Sequence, residues 1–208
     1  MLSGVDSGTE ASSSLQTATR NYLRSCMSRS YKFHDPEGTY FISFATVEWV
    51  DVFTRREYKD IVVESLRHCQ EKKGLLLYAW VIMSNHVHLI AAAAGGHALP
   101  DILRDLKKFT SSQILKALVE NGQESRKAWM LPIFAKAGAA NPNNTHYQLW
   151  RQDNRPIQLI TAEVIIQKLN YLHDNPVVEG YVEQAEDYVY SSAPAIAGKP
   201  GLLKLEPY

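Results

Sequence analysis

Cysteine is scarce in this 208-residue chain. Cys26 and Cys69 are the two present, and no Cys-x-x-Cys spacing occurs. That argues against a disulfide-stapled scaffold and against a structural zinc site, and makes the reducing cytosol the expected compartment. Net charge is lacking as well, because 22 Lys plus Arg balance 22 Asp plus Glu. No global field therefore draws the chain to a polyanion, and any nucleic-acid binding must come from a local patch. Residues 1–26 have no basic segment followed by an apolar core, so no signal peptide is expected. The longest apolar stretch, Gly74 to Ala94, approaches membrane-spanning length. It carries Ser84, Asn85, His86 and His88 at its centre, where polar groups are most costly in a bilayer, so a transmembrane helix is rejected.

What remains is an ordinary globular composition, 45% hydrophobic, in a length that suits one domain with a sizeable core plus peripheral segments. Residues 1–26 are rich in Ser, Thr, Gly and Ala, and are expected to be disordered or loosely attached to a domain over 27–208. Within that domain Thr39 to Trp49 predicts a first strand, and the segment after Arg56 a helix with Tyr58, Val62, Leu66 and Cys69 at helical spacing and Gly74 as its stop. Leu75 to Met83 and His86 to Ala93 predict a hairpin turning at Ser84-Asn85. Asp101 is the expected N-cap of a second helix reaching Glu120. No regular pattern is found from Asn121 to Tyr147, where Gly138 to Asn144 suggests a flexible loop. A fourth strand is expected within Leu149 to Ile160, and a helix capped by Thr161, with Ile165, Leu169 and Leu172 on its apolar stripe, runs to Pro176. The order βαββαβ is that of an α+β, ferredoxin-like fold with an antiparallel sheet, followed by that C-terminal helix.

The chemistry concentrates in Val81-Ile82-Met83-Ser84-Asn85-His86-Val87-His88-Leu89-Ile90. On a strand His86 and His88 project from one side while Val87 and Leu89 point to the other, so two imidazoles converge. Such a pair places two metal ligands side by side, although a histidine in an apolar run is also often only a hydrogen-bonded core residue. A second feature is the row Gln167, Tyr171 and Asn175 at i, i+4 and i+8, which gives the last helix a polar edge with a phenol at its centre.

The string VIMSNHVHLI resembles the metal-binding signature of single-tyrosine HUH transposases, in particular the REP-associated tyrosine transposase branch of the IS200-like group. YLHDNPVVEGYV and EDYVYSSA, at 171–182 and 186–193, resemble tail motifs of the same family, and the resemblance spans roughly Met27 to Tyr208. It implies the same ferredoxin-like architecture, Tyr171 as nucleophile, and Asn175 as the third ligand beside His86 and His88, with Asp174 and His173 as alternatives to the amide. It further implies Mg²⁺ or Mn²⁺ as cofactor and single-stranded or hairpin DNA with palindromic repeats as partner, with the protein a monomer or homodimer. Transfer would pass through a 5′-phosphotyrosine. Beside such a site the cationic face of Arg104, Lys107 and Lys108, otherwise simply solvated, is the candidate for phosphate contacts. Tyr181, Tyr188 and Tyr190 read as packing residues. Two competing functions remain, a hydrolase in which the histidines activate water through a metal, and a DNA-binding module of the same fold without strand transfer.

Overall fold

The structure is a computed structural model that describes residues 33–141 and 146–207; the expectation for residues 1–26 lies outside them. Its element order is β1 (Tyr40–Ala45), α1 (Arg56–Lys72), β2 (Leu75–Ile82), β3 (His86–Ala93), α2 (Leu99–Glu120), α3 (Lys127–Ala139), β4 (Ile157–Gln158), α4 (Ala162–Val178) and a short α5 (Ala193–Ile196). The sheet has the strand order β2-β3-β1-β4, and its neighbours are antiparallel throughout. This is the expected α+β βαββαβ arrangement with helices added at its end.

Two-residue alternation sorts the sheet into two faces. Ile42, Phe44, Trp80, Ile82, Val87 and Leu89 are buried on one side, and α1 and α2 pack against each other above it. Phe41, Val81 and His88 belong to the other side, which α4 covers through β2 and β3. In the β1–β3 register His88 lies opposite Ser43 and His86 opposite Ala45, so small side chains flank both imidazoles. The outer edge of β2 is closed by the tail. Ser192 N donates to Trp80 O and Ile82 N to Tyr190 O, which removes an open edge that could pair with another chain.

Three local expectations are corrected, and the fourth strand, found within Leu149 to Ile160 as expected, is short. Asp101 does not cap α2, which begins two residues earlier at Leu99 with Ala98 at its N-cap and Pro100 in the first turn, where a missing N–H is harmless. Residues 127–139 are helical. Their apolar side chains surround the axis instead of forming one stripe, and Pro132 interrupts the pattern, yet Met130 and Phe134 are fully buried. Gly138 ends this helix against the following chain, since a Cβ there would meet His146 O at 2.6 Å; residues 142–145 of the expected loop lie outside the described ones. The segment from Leu149 follows β1, with Arg151 N donating to Ala45 O, but regular pairing shrinks to Ile157–Gln158 because Arg155 turns to φ 40 ahead of Pro156. Finally, Pro176 does not stop α4. The helix absorbs it and runs on to Val178, so Asn175 keeps helical geometry.

One buried charge locks the helical layer. Glu124, 1% exposed, accepts from Arg126 Nε and Nη2 at 2.8 and 2.7 Å and from Arg55 Nε at 2.9 Å, while Tyr58 Oη lies at 3.3 Å. The Arg126 hydrogen bonds, against the opposing effect of burial, hold its carboxyl down at about 2. A carboxyl depressed in the folded state stabilises above its ordinary value near 4.5, and that stability drains away as pH falls from about 4.5 toward 2. Glu124→Gln is expected to lower stability at neutral pH by about 2–4 kcal/mol and to flatten this acid limb, as read from urea midpoints across pH 2–7.

Candidate active site

The turn between β2 and β3 is bolted down before any functional group is considered. Phe53 N donates to Ser84 O at 2.8 Å and Thr46 N to Asn85 O at 2.9 Å. Asn85 Nδ2 donates to Asp51 Oδ1 at 3.0 Å and lies 3.3 Å from Trp49 O. Both of those partners are acceptors only, so the amide has one orientation, and its Oδ1 faces His86 Nδ1 at 2.7 Å. His86 Nδ1 must then carry the hydrogen, which leaves the Nε2 lone pair free for a ligand. Arg126 Nη1 also donates to Asp51 O at 2.7 Å, joining this turn to the Glu124 lock.

His86 and His88 meet with ring centroids 4.7 Å apart. His88 is 4% exposed, and neither of its ring nitrogens has a hydrogen-bond partner among the described residues. Burial pushes both imidazoles down, His88 to about 3 and His86 to about 4, with the neighbouring His86 and Lys168 charges adding to the effect at His88. Two neutral imidazoles, one with orphaned nitrogens, fit the donor set of a divalent metal. Among the described residues no group of three His, Cys, Asp or Glu side chains could hold such an ion. A third protein ligand to such an ion would have to come from another residue type.

Helix α4 begins at Thr161, whose hydroxyl accepts from Val164 N, and carries Tyr171 over the histidines. The Tyr171 ring lies 5.4 Å from His88 and 5.9 Å from Phe41, while half of the side chain remains exposed. Asn175 follows one turn later, its Nδ2 3.3 Å from Tyr171 O, and its Oδ1 accepts nothing among the described residues. His173 points elsewhere. Its Nε2 meets Ser192 Oγ at 2.8 Å, which ties α4 to the tail instead of the metal-type pair. Asp174 is exposed.

Lys168, one turn before Tyr171, is a residue the sequence reading did not single out. Its ammonium lies 5.6 Å from the Tyr171 ring centre and 5.2 Å from that of Phe41, and no carboxylate pairs with it among the described residues. Spacing alone could have found it, since a residue three before Tyr171 lies on the same helix face. Of the expected cationic face, Arg104 bonds Asp101 and Asp105, and Lys107 is turned inward to Arg151 O and Asn154 Oδ1 at 2.6 and 2.8 Å, with burial bringing it down to about 8. Lys108 is exposed. Tyr188 and Tyr190 are buried packing residues, Tyr188 donating to Ile82 O and Tyr190 to Asp60, whereas Tyr181 is half exposed and stacks on Tyr188.

Residues 38–135 match the family described as transposase IS200 like. That stretch, just under half of the chain, carries a domain similar to IS200-like transposases. The matched stretch contains His86 and His88 and ends before Tyr171. Over 88% of this chain and 95% of the other, the fold is similar to that of a REP-associated tyrosine transposase solved bound to a REP hairpin, with a TM-score of 0.56 and 14% identity. A crystal structure assigned to a transposase of Deinococcus radiodurans R1 is similar over 69% of this chain and 94% of that one, with a TM-score of 0.42 and 20% identity. No curated protein matches the sequence.

Because Asn85 sets the His86 tautomer, Asn85→Ala is expected to weaken Mn²⁺ binding by about 10–100-fold, in the range of other lost supporting hydrogen bonds at metal ligands. Isothermal titration with Mn²⁺ checks it, with His88→Ala as the reference for full loss.

Proposed function

We propose that this protein nicks and rejoins single-stranded DNA at hairpin or palindromic repeats, in the manner of the REP-associated tyrosine branch, through a covalent 5′-phosphotyrosine on Tyr171. The observation that carries the reading is the approach of an exposed phenol to a buried histidine whose two ring nitrogens lack partners. A side chain half in solvent beside a buried imidazole with no hydrogen-bond partner among the described residues suits attack on a phosphate delivered from outside.

His86, His88 and Asn175 would hold one divalent ion, Mg²⁺ or Mn²⁺, which would supply Lewis-acid polarisation of the scissile phosphate. Tyr171 Oη attacks phosphorus in line. The new O–P bond forms as the P–O3′ bond breaks, the phenol proton passes to solvent, and the departing 3′ oxygen takes one up. Atoms and charge balance without a further reactant, and attack by another 3′-hydroxyl reverses the step to join strands. Lys168 stands where negative charge gathers on the phosphate, and its unpaired ammonium stabilises that charge in a site partly screened from water. Arg104, Lys107 and Lys108 contribute phosphate contacts farther out, Lys107 least because its ammonium already serves the 151–154 segment.

Incubation with labelled hairpin DNA and Mn²⁺ is expected to give an adduct stable in denaturing gels, carrying only the strand downstream of the cut. Tyr171→Phe and His88→Ala should abolish it with hairpin binding retained, and Lys168→Gln should slow it by one to two orders of magnitude. An adduct formed by Tyr171→Phe moves the nucleophile elsewhere, and cleavage without adduct assigns the chemistry to water.

Joint removal of charge at Arg104, Lys107 and Lys108 should lower the salt slope of hairpin binding by about 1–2, short of three full phosphate contacts. Binding measured from 50 to 300 mM salt, that is about 50 mM upward, reads this directly, and an unchanged slope returns the face to solvent.

A further inference from the structure

Beside the histidine pair lies a second feature that nucleophile and metal-type ligands leave unused. A cavity of about 200 Å³ is lined by Trp49, Met83, Ser84, Asn85, His86, Glu179 and Tyr181. It is smaller than the roughly 300–1,000 Å³ typical of small-molecule sites, and its exposed walls are aromatic. Trp49 is 49% exposed and Tyr181 46%. We propose that Trp49, Tyr181 and Glu179 form a pocket for one unpaired base of the DNA strand next to the scissile phosphate. This rests on the single-stranded DNA reading given above.

The backbone is shaped to present these groups. Glu48 and Trp49 both adopt left-handed geometry, at φ 52 and 57. A turn selected for conformation alone would use glycine or asparagine there, so the indole is carried for its ring. Thr46 holds the strained turn, its hydroxyl donating to Val50 O at 2.8 Å, and the ring of Trp49 stands 6.0 Å from that of His86. On the opposite wall α4 ends in paired bonds from Gly180 N to Val177 O and Tyr181 N to Pro176 O. That C-terminal motif requires the positive φ of Gly180, 73°, and it turns Tyr181 back toward the cavity while leaving Glu179 at the rim.

Chemistry selects the occupant. Nucleobases stack on aromatic faces with little regard for identity, and the guanidinium of Arg151, 5.6 Å from the Trp49 ring, offers a cation to an adjoining phosphate. The Glu179 carboxylate has no partner among the described residues and would repel phosphate. It is suited to accept from an exocyclic amino group, which adenine, cytosine and guanine carry and thymine lacks.

The full chain is titrated, without added metal, with labelled hairpins in which each unpaired nucleotide is replaced in turn by an abasic residue. One position is expected to weaken binding on the order of tenfold. Trp49→Ala should weaken the intact hairpin equally and add nothing to the loss at that abasic position, a non-additivity that a fold defect would not produce. Trp49→Phe should restore most of the affinity, and Glu179→Ala, which removes the acceptor, should erase the preference for amino-bearing bases there. Equal weakening of intact and abasic hairpins by Trp49→Ala, or insensitivity to every abasic position, overturns the pocket alone. A wild-type protein that binds no hairpin overturns both readings, while absence of a covalent adduct overturns strand transfer and leaves the binding result standing.

Discussion

An imidazole buried with no hydrogen-bond partner among the described residues is the constraint around which this structure is arranged. Leaving a buried polar atom unsatisfied costs about 1–3 kcal/mol, and His88 presents two such atoms on a central strand. Beside the ring stand Phe41, Tyr171 and the Lys168 charge, none of which accepts from or donates to its nitrogens. Everything nearby keeps the imidazole neutral and in place. Small residues on β1 leave room beside it, and the antiparallel register fixes which face it occupies. A slip of one residue would send both histidines under α1 and α2.

Around that pair the supporting shell works as a continuous set of bonds. Glu124 fixes Arg126, Arg126 holds the backbone at Asp51, the Asp51 carboxylate takes both Ser84 and Asn85, and Asn85 orients His86. A charge buried between helices on one face of the sheet is thereby connected to a tautomer on the other. The same chain of contacts steadies the strained Glu48–Trp49 turn. Destabilising the helical layer should therefore be felt as disorder in the site before the whole domain unfolds.

Strands and the amphipathic helices were legible because their signals are periodic. The β2–β3 hairpin, α1, α2 and α4 stand close to where apolar spacing puts them, and Thr161 caps α4 as its side chain suggests. Helix α3 was illegible because its apolar residues encircle the axis, and β4 was legible only to within Leu149 to Ile160 because most of that segment is irregular. At the site, spacing was enough to converge His86 with His88 and to place Tyr171 and Asn175 on one edge. Proximity across elements was not. Nothing local in the sequence brings Asp51 to Asn85, or Trp49 to Glu179. Lys107 shows the opposite error, since a cation on an exposed-looking face can be spent inside the fold on carbonyl oxygens.

Placing Tyr171 and Glu179 on or at the end of the same helix has a metric consequence. Eight residues at 1.5 Å each set them about 12 Å apart along the axis, and the tie between His173 and Ser192 holds that helix against the tail. On the proposed reading, the nucleophile and the base pocket are thus held at a fixed separation by one rigid element. If α4 shifts as DNA enters, both marks shift together, so the spacing between the broken bond and the inspected base survives the motion. Lengthening the helix by insertion between the two would change where the cut falls relative to the inspected base without altering a single contacting side chain.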